Sequence, residues 1–118
     1  MLLMSYKILI FFLRRFTKMK KTSYDVLKYM QDNKGSQLTA TIIADALGTN
    51  VKSVNGIVTM SLCRHKDADK NDQPLAERLD EKIKISYTDD EGNEKEKEEK
   101  LIVLTPAGET FVPDEITE

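Results

Sequence analysis

Gly48 constrains this chain more than any other residue, because it interrupts two apolar patterns of helical period that cannot belong to one helix. Before it, Ile42, Ile43, Ala46 and Leu47 recur at helical spacing behind Thr39, a residue suited to an N-cap. After it, Val51, Val54, Ile57, Val58 and Leu62 repeat the pattern as far as Cys63. Two helices meeting steeply over so short a turn need positive φ at the bend and a small side chain where the axes approach. Gly48 and Ala44 supply these. Residues 39–63 are therefore expected to form two helices, with Val54 and Ile57 locking the second onto the first.

The flanks extend this core. Thr22 is a candidate N-cap with Asp25 three residues on, and Tyr24, Val26, Leu27 and Met30 give an apolar helix face that Gly35 closes. Residues 64–74 are polar, a loop or a frayed extension of the preceding helix, and Pro74 forbids that helix from continuing. Leu79, Ile83, Ile85 and Tyr87 then take odd positions, with Lys82, Lys84, Ser86 and Thr88 at the even positions among them, the period of a half-buried strand. Asp89-Asp90-Glu91-Gly92-Asn93 is a turn cluster, and Leu101 to Leu104 is the apolar end of a returning strand. Residues 94–100, EKEKEEK, also fit a charged linker or a helix; their place between turn and apolar strand end favours a solvated hairpin. Thr105 should cap a short helical turn with Pro106 at its first position, and Phe111 and Val112 can fold back on the core.

The spacing of Ala44, Gly48, Val54 and Ile57 resembles the helix-turn-helix signature of bacterial and phage regulators. The chain beyond Cys63 resembles the winged variety in the MarR or PadR style, including Leu104-Thr105-Pro106-Ala107-Gly108, similar to an L-T-x-x-G that succeeds the wing there. The resemblance covers residues 22–112. It implies an α+β winged helix-turn-helix of three helices followed by a two-stranded β-hairpin wing. Ala44, Leu47, Val54, Ile57, Val58, Ile85 and Val103 are the expected core, and residues 36–38 the expected short strand beside the hairpin. Residues 19–112 form the domain in this reading, and residues 113–118 are an acidic tail expected to fray.

Residues 1–18 contain an apolar run from Ile8 to Leu13 that is too short to span a bilayer, which needs about 20 apolar residues. Arg14-Arg15 comes after the run, whereas in a signal peptide the charge precedes it. The segment reads as an untranslated leader or a disordered extension, with a weak amphipathic anchor as the other reading. Two arginines can be encoded AGG AGG, a strong ribosome-binding sequence, and here they stand three codons before Met19.

At 118 residues the chain suits one domain, and its net charge of −2 gives no overall basic signal. The distribution tells more. Residues 1–34 carry eight basic and two acidic residues, residues 67–99 thirteen acidic and six basic. Without Lys7, Arg14, Arg15 and Lys18 the remainder holds 14 basic against 20 acidic residues. The single cysteine, Cys63, fits a reducing cytoplasm, and with His65 alone beside it there is no zinc shell. No nucleophile, base and orienter constellation and no glycine-rich phosphate loop is visible, so an enzyme is not expected and no cofactor or metal is implied.

In helix-turn-helix proteins the second helix enters the major groove with its N-terminal half against base edges. The resemblance thereby assigns DNA contact to Asn50, Lys52, Ser53, Asn55 and Thr59, which lie away from the Val51-Val54-Val58 stripe. Asn55 can pair bidentately with adenine, and Lys52 can reach guanine or phosphate. The tip departs from the family pattern: Asp89-Asp90-Glu91 stands where minor-groove wings carry Arg or Lys, and phosphate repels it. Two functions fit these residues. One is a cytoplasmic transcription regulator that binds double-stranded DNA, alone or as a homodimer. The other is a protein-interaction module whose acidic wing meets a basic partner. Neither requires a membrane.

Overall fold

The computed structural model describes residues 17–67 and 69–118, and the expected leader lies, but for Thr17 and Lys18, outside them. Strand β1 (Lys18–Lys20) runs straight into helix α1 (Lys21–Asp32), followed by α2 (Ala40–Leu47) and α3 (Val51–Ile57), which continues as a π-helical segment (Val58–Cys63). Then come the long strands β2 (Ala76–Thr88) and β3 (Glu94–Leu104), the short helix α4 (Pro106–Thr110) and β4 (Glu115–Thr117). The architecture is α+β.

The central helix pair forms through its caps. Thr39 Oγ1 accepts from the Ile42 amide at 3.4 Å, and Gly48 at φ 69° ends α2 in the left-handed region. Two residues later Asn50 opens α3, its Oδ1 accepting from the Ser53 amide at 2.7 Å. Ile43, Ala44, Val54 and Val58 are buried between the helices and α1, which contributes Val26, Leu27 and Met30. Leu38, Leu62, Leu75 and Ile102 complete the core.

Several expectations need correction. The first concerns Thr22, which is not the cap of α1. Lys20 occupies that position without a side-chain bond, because pairing with Thr117 holds it extended. Asp25 accordingly pairs with Lys21 at 3.2 Å. The second concerns Leu47, expected in the core but 36% exposed, because the last residue of α2 faces an open groove between α1 and α3. Ile57 and Val103 are half-buried. The third concerns the tail: β4 pairs in parallel with β1, Lys18 opposite Glu115 through Lys20 opposite Thr117. Thr17 and Asp114 extend the clasp through the Thr17 amide on Asp114 Oδ2 at 3.0 Å and the Asp114 amide on the Thr17 carbonyl at 2.9 Å.

The hairpin obeys the alternation in the sequence. Ile83, Ile85 and Tyr87 pair with Glu99, Lys97 and Lys95 and share one face; Lys84, Ser86 and Thr88 pair with Glu98, Glu96 and Glu94 on the other. A bulge between Arg78 and Lys82 gives β2 two residues more than β3 at that point. Residues 36–38 form no strand; Leu38 offers its carbonyl to the Ile102 amide at 2.8 Å.

Residues 64–67 and 69–74 belong to a tight loop in which Lys66 bridges to Asp72. The Asp67 carboxylate accepts from the amides of Asp69 and Asn71, and Asp89 does the same for Glu91 and Asn93 at the hairpin tip. Lys70 and Gly92 take positive φ at the same place in the two turns. The loop delivers Leu75, wholly buried, to the centre of the fold. Its amide donates to the Leu62 carbonyl at 2.8 Å and its carbonyl accepts from the Thr105 amide at 3.0 Å. Thr105 Oγ1 donates to the Pro74 carbonyl and accepts from the Gly108 amide, with Pro106 in the first turn of α4 as expected.

Candidate nucleic-acid interface

The expected site residues divide by what the fold already asks of them. Asn50 is the cap of α3, so its Oδ1 is engaged. Lys52 and Ser53 stand exposed in the first turn, and Asn55 is exposed one turn on, while Val54 and Val58 beside them are fully buried. Thr59 is half-buried in the first turn of the π-helical segment. A helix with one stripe sealed into the core presents the remainder of its surface outward.

Asn55 and Thr59, four residues apart and therefore on one face, are joined by a residue that the sequence does not single out. Arg78, in β2 at the edge of the bulge, donates through Nη1 to Thr59 Oγ1 at 3.0 Å. Its Nη2 donates to Asn55 Oδ1 at 3.1 Å and to the Asn55 carbonyl at 3.3 Å. Arg78 pairs with the buried Ile102, so it starts from a rung that already lies against the helices. Alternation alone puts Arg78 in phase with the exposed Lys82 and Lys84, and nothing in the sequence announces its inward reach.

A second tie joins the hairpin to the helix pair. The Glu99 carboxylate in β3 sits at the N-terminus of α2, where Oε1 accepts from the Thr41 amide at 3.3 Å and Oε2 from Thr41 Oγ1 at 2.9 Å. Burial opposes charge on Glu99, but hydrogen bonds from Thr39, Thr41 and Lys97 outweigh it and hold the carboxyl below its ordinary range. Lys97 stands 3.2 Å from Glu99 and 4.9 Å from the centre of the Tyr87 ring.

The acidic tip is less uniform than its sequence. Asp89 accepts from the Asn93 and Glu91 amides, contacts Lys95 at 3.2 Å and is held below the usual carboxylate range, chiefly by the Asn93 amide. Asp90 and Glu91 are exposed, as are Glu94, Glu96 and Glu98 along β3. Lys95 and Lys97 lie on the opposite face of that strand.

Elsewhere the chemistry is quiet. Burial pushes the Cys63 thiol up, more than Arg78 and Arg64 lower it. His65 packs edge-on against Phe111 with ring centres 4.7 Å apart, its Nδ1 lies 3.2 Å from the Gln73 carbonyl, and burial lowers its pKa. Among the described residues no group of three or more His, Cys, Asp or Glu could hold a metal ion. The groove beside Leu47, about 580 Å³, is lined by Val26, Gly56, Ile57 and Met60 with Lys20 and Asp25 at its rim. No helix among the described residues is long and apolar enough to cross a membrane.

These features define a small α+β domain in which a capped helix pair is tied at two points to a long antiparallel hairpin. No family model, no curated protein and no solved structure matches the chain significantly.

Proposed function

We propose that the chain is a winged helix-turn-helix protein of bacterial or phage type that binds double-stranded DNA, a cytoplasmic transcription regulator and not an enzyme. The observation that carries this reading is the outer surface of α3: Lys52, Ser53 and Asn55 exposed in its first turns, on a helix anchored by the fully buried Val54 and Val58. Helix α3 lies in the major groove in this reading, and Lys52 meets guanine or phosphate. The hairpin tip stays clear of the phosphates, which repel Asp90 and Glu91, or meets a second copy in a homodimer.

A selection from random duplexes at low salt tests the reading directly. Asn55→Ala should cost about 1–3 kcal/mol on the preferred site and relax its sequence requirement, and Lys52→Ala should lower the salt slope by about one. Replacing Asp90 and Glu91 by Ser should tighten binding or leave it unchanged. Capture of no duplex by the wild-type chain would overturn the proposal.

One observation favours a second reading. Glu94, Glu96 and Glu98 share one exposed face of β3 and run toward Asp90 and Glu91, a surface suited to a basic protein partner. Under this reading the wing substitutions abolish capture of the partner and Asn55→Ala is silent.

A further inference from the structure

The contact between Arg78 and Asn55 decides which end of the Asn55 amide is offered to a ligand. A guanidinium has only donors, so the group that faces it must be the amide oxygen. Arg78 Nη2 lies 3.1 Å from Asn55 Oδ1 and 3.3 Å from the Asn55 carbonyl, while Nη1 lies 3.0 Å from Thr59 Oγ1. Three acceptors on two successive turns of one helix thus converge on one planar fork. Such a fork fixes orientation in a way that a lysine, with a single point charge, does not. With its oxygen drawn toward β2, Asn55 has its NH₂ group left to face outward. Thr59 Oγ1 accepts from the same guanidinium and keeps its proton to donate.

We infer that Arg78 is a positioning residue that turns the Asn55 amide oxygen toward β2 and presents its NH₂ group to the ligand, and that the base it reads offers an acceptor: guanine, thymine, or adenine through N7. This inference rests on the DNA-binding reading. It differs from bidentate adenine recognition, in which the amide must also accept from the exocyclic amine and its oxygen must therefore face the base. Cytosine offers only a donor in the major groove and is excluded at this position.

The test has one arm without DNA and one with it. In the free protein, side-chain couplings and amide relaxation measured by NMR should show Asn55 in a single rotamer, and Arg78→Lys should release it into an average. An Asn55 side chain already averaged in the wild type would overturn the inference.

In the second arm, the base pair read by Asn55 is located as the position whose preference flattens in Asn55→Ala, and analogues lacking one major-groove group on either strand identify which of its two bases is contacted. Guanine or thymine there supports the inference. So does an adenine whose 7-deaza analogue binds at least tenfold more weakly while deletion of its exocyclic amine changes affinity less than twofold. Cytosine, or an adenine that loses tenfold on deletion of the amine, overturns it. Arg78→Lys should flatten preference at this one position and leave the salt slope unchanged, whereas a merely structural role would weaken every position together. If the wild type captures no duplex, the DNA-binding reading falls and this inference falls with it; binding that persists with the wrong base preference removes the inference alone.

Discussion

A Cβ at Gly108 would run into the backbone carbonyl of Leu75, which cannot move aside because it accepts from the Thr105 amide. The requirement is for space, since Gly108 has ordinary φ, unlike Gly48, whose φ of 69° is needed at the bend. Gln31 Nε2 donates to the carbonyls of both Gly108 and Phe111 at 2.9 Å, so the glycine also anchors α4 on α1. Gly108→Ala is expected to cost about 1–3 kcal/mol, the usual range for overpacking. The midpoint of urea unfolding measures it, and an unchanged midpoint would show that Leu75 can yield. Glu99 gives a second expectation at this scale. Its carboxyl is held below its ordinary value, so the stability it contributes is complete above the unfolded value, about 4.3, and is lost as pH falls through the lower folded value. Glu99→Gln should be less stable at neutral pH and should flatten the acid limb of the stability curve. Parallel acid limbs for the two proteins would contradict this account of the Thr41 contact.

Among the elements, the hairpin is the most uneven. At its base Leu101 and Ile102 are buried, whereas the rungs joining Ser86, Tyr87 and Thr88 to Glu96, Lys95 and Glu94 lie beyond the last buried residue, Ile85. A two-stranded ribbon without a third strand or a covering helix is marginal by itself. Amide exchange should therefore be slow at Ile102, whose buried amide donates to the Leu38 carbonyl, and faster beyond Ile85. Uniform protection along the ribbon would mean that the outer half is covered by something else. The hairpin and the helix pair were legible because periods of two and of 3.6 residues are written directly in the apolar positions. Thr39, Gly48 and Thr105 were legible as caps for the same local reason. The turn from α-helix to π-helix at Val58 was not, since Val58 and Leu62 hold helical spacing under either pattern. Strands β1 and β4 are three residues each, too short to carry a period, and their partner lies at the other end of the domain. The reach of Arg78 was illegible for a related reason: its acceptors, Asn55 and Thr59, stand 23 and 19 residues away on another element.

For the molecule as a whole, the clasp between β1 and β4 sets how the domain carries load. The strands are parallel, with Lys18 opposite Glu115 and Lys20 opposite Thr117. Tension drawn between Thr17 and Glu118 therefore runs along the strands and loads their rungs together in shear, where tension on antiparallel strands gripped at one end would open them rung by rung. A single-molecule pull through these two points should meet a distinct force peak before α1 unravels. A pull between Glu77 and Val103, paired near the end of the ribbon away from its turn, should unzip β2 from β3 at lower force. Equal forces in the two directions would mean that the clasp bears no load. If they differ, this domain yields readily when its hairpin is pried apart and resists when drawn between Thr17 and Glu118.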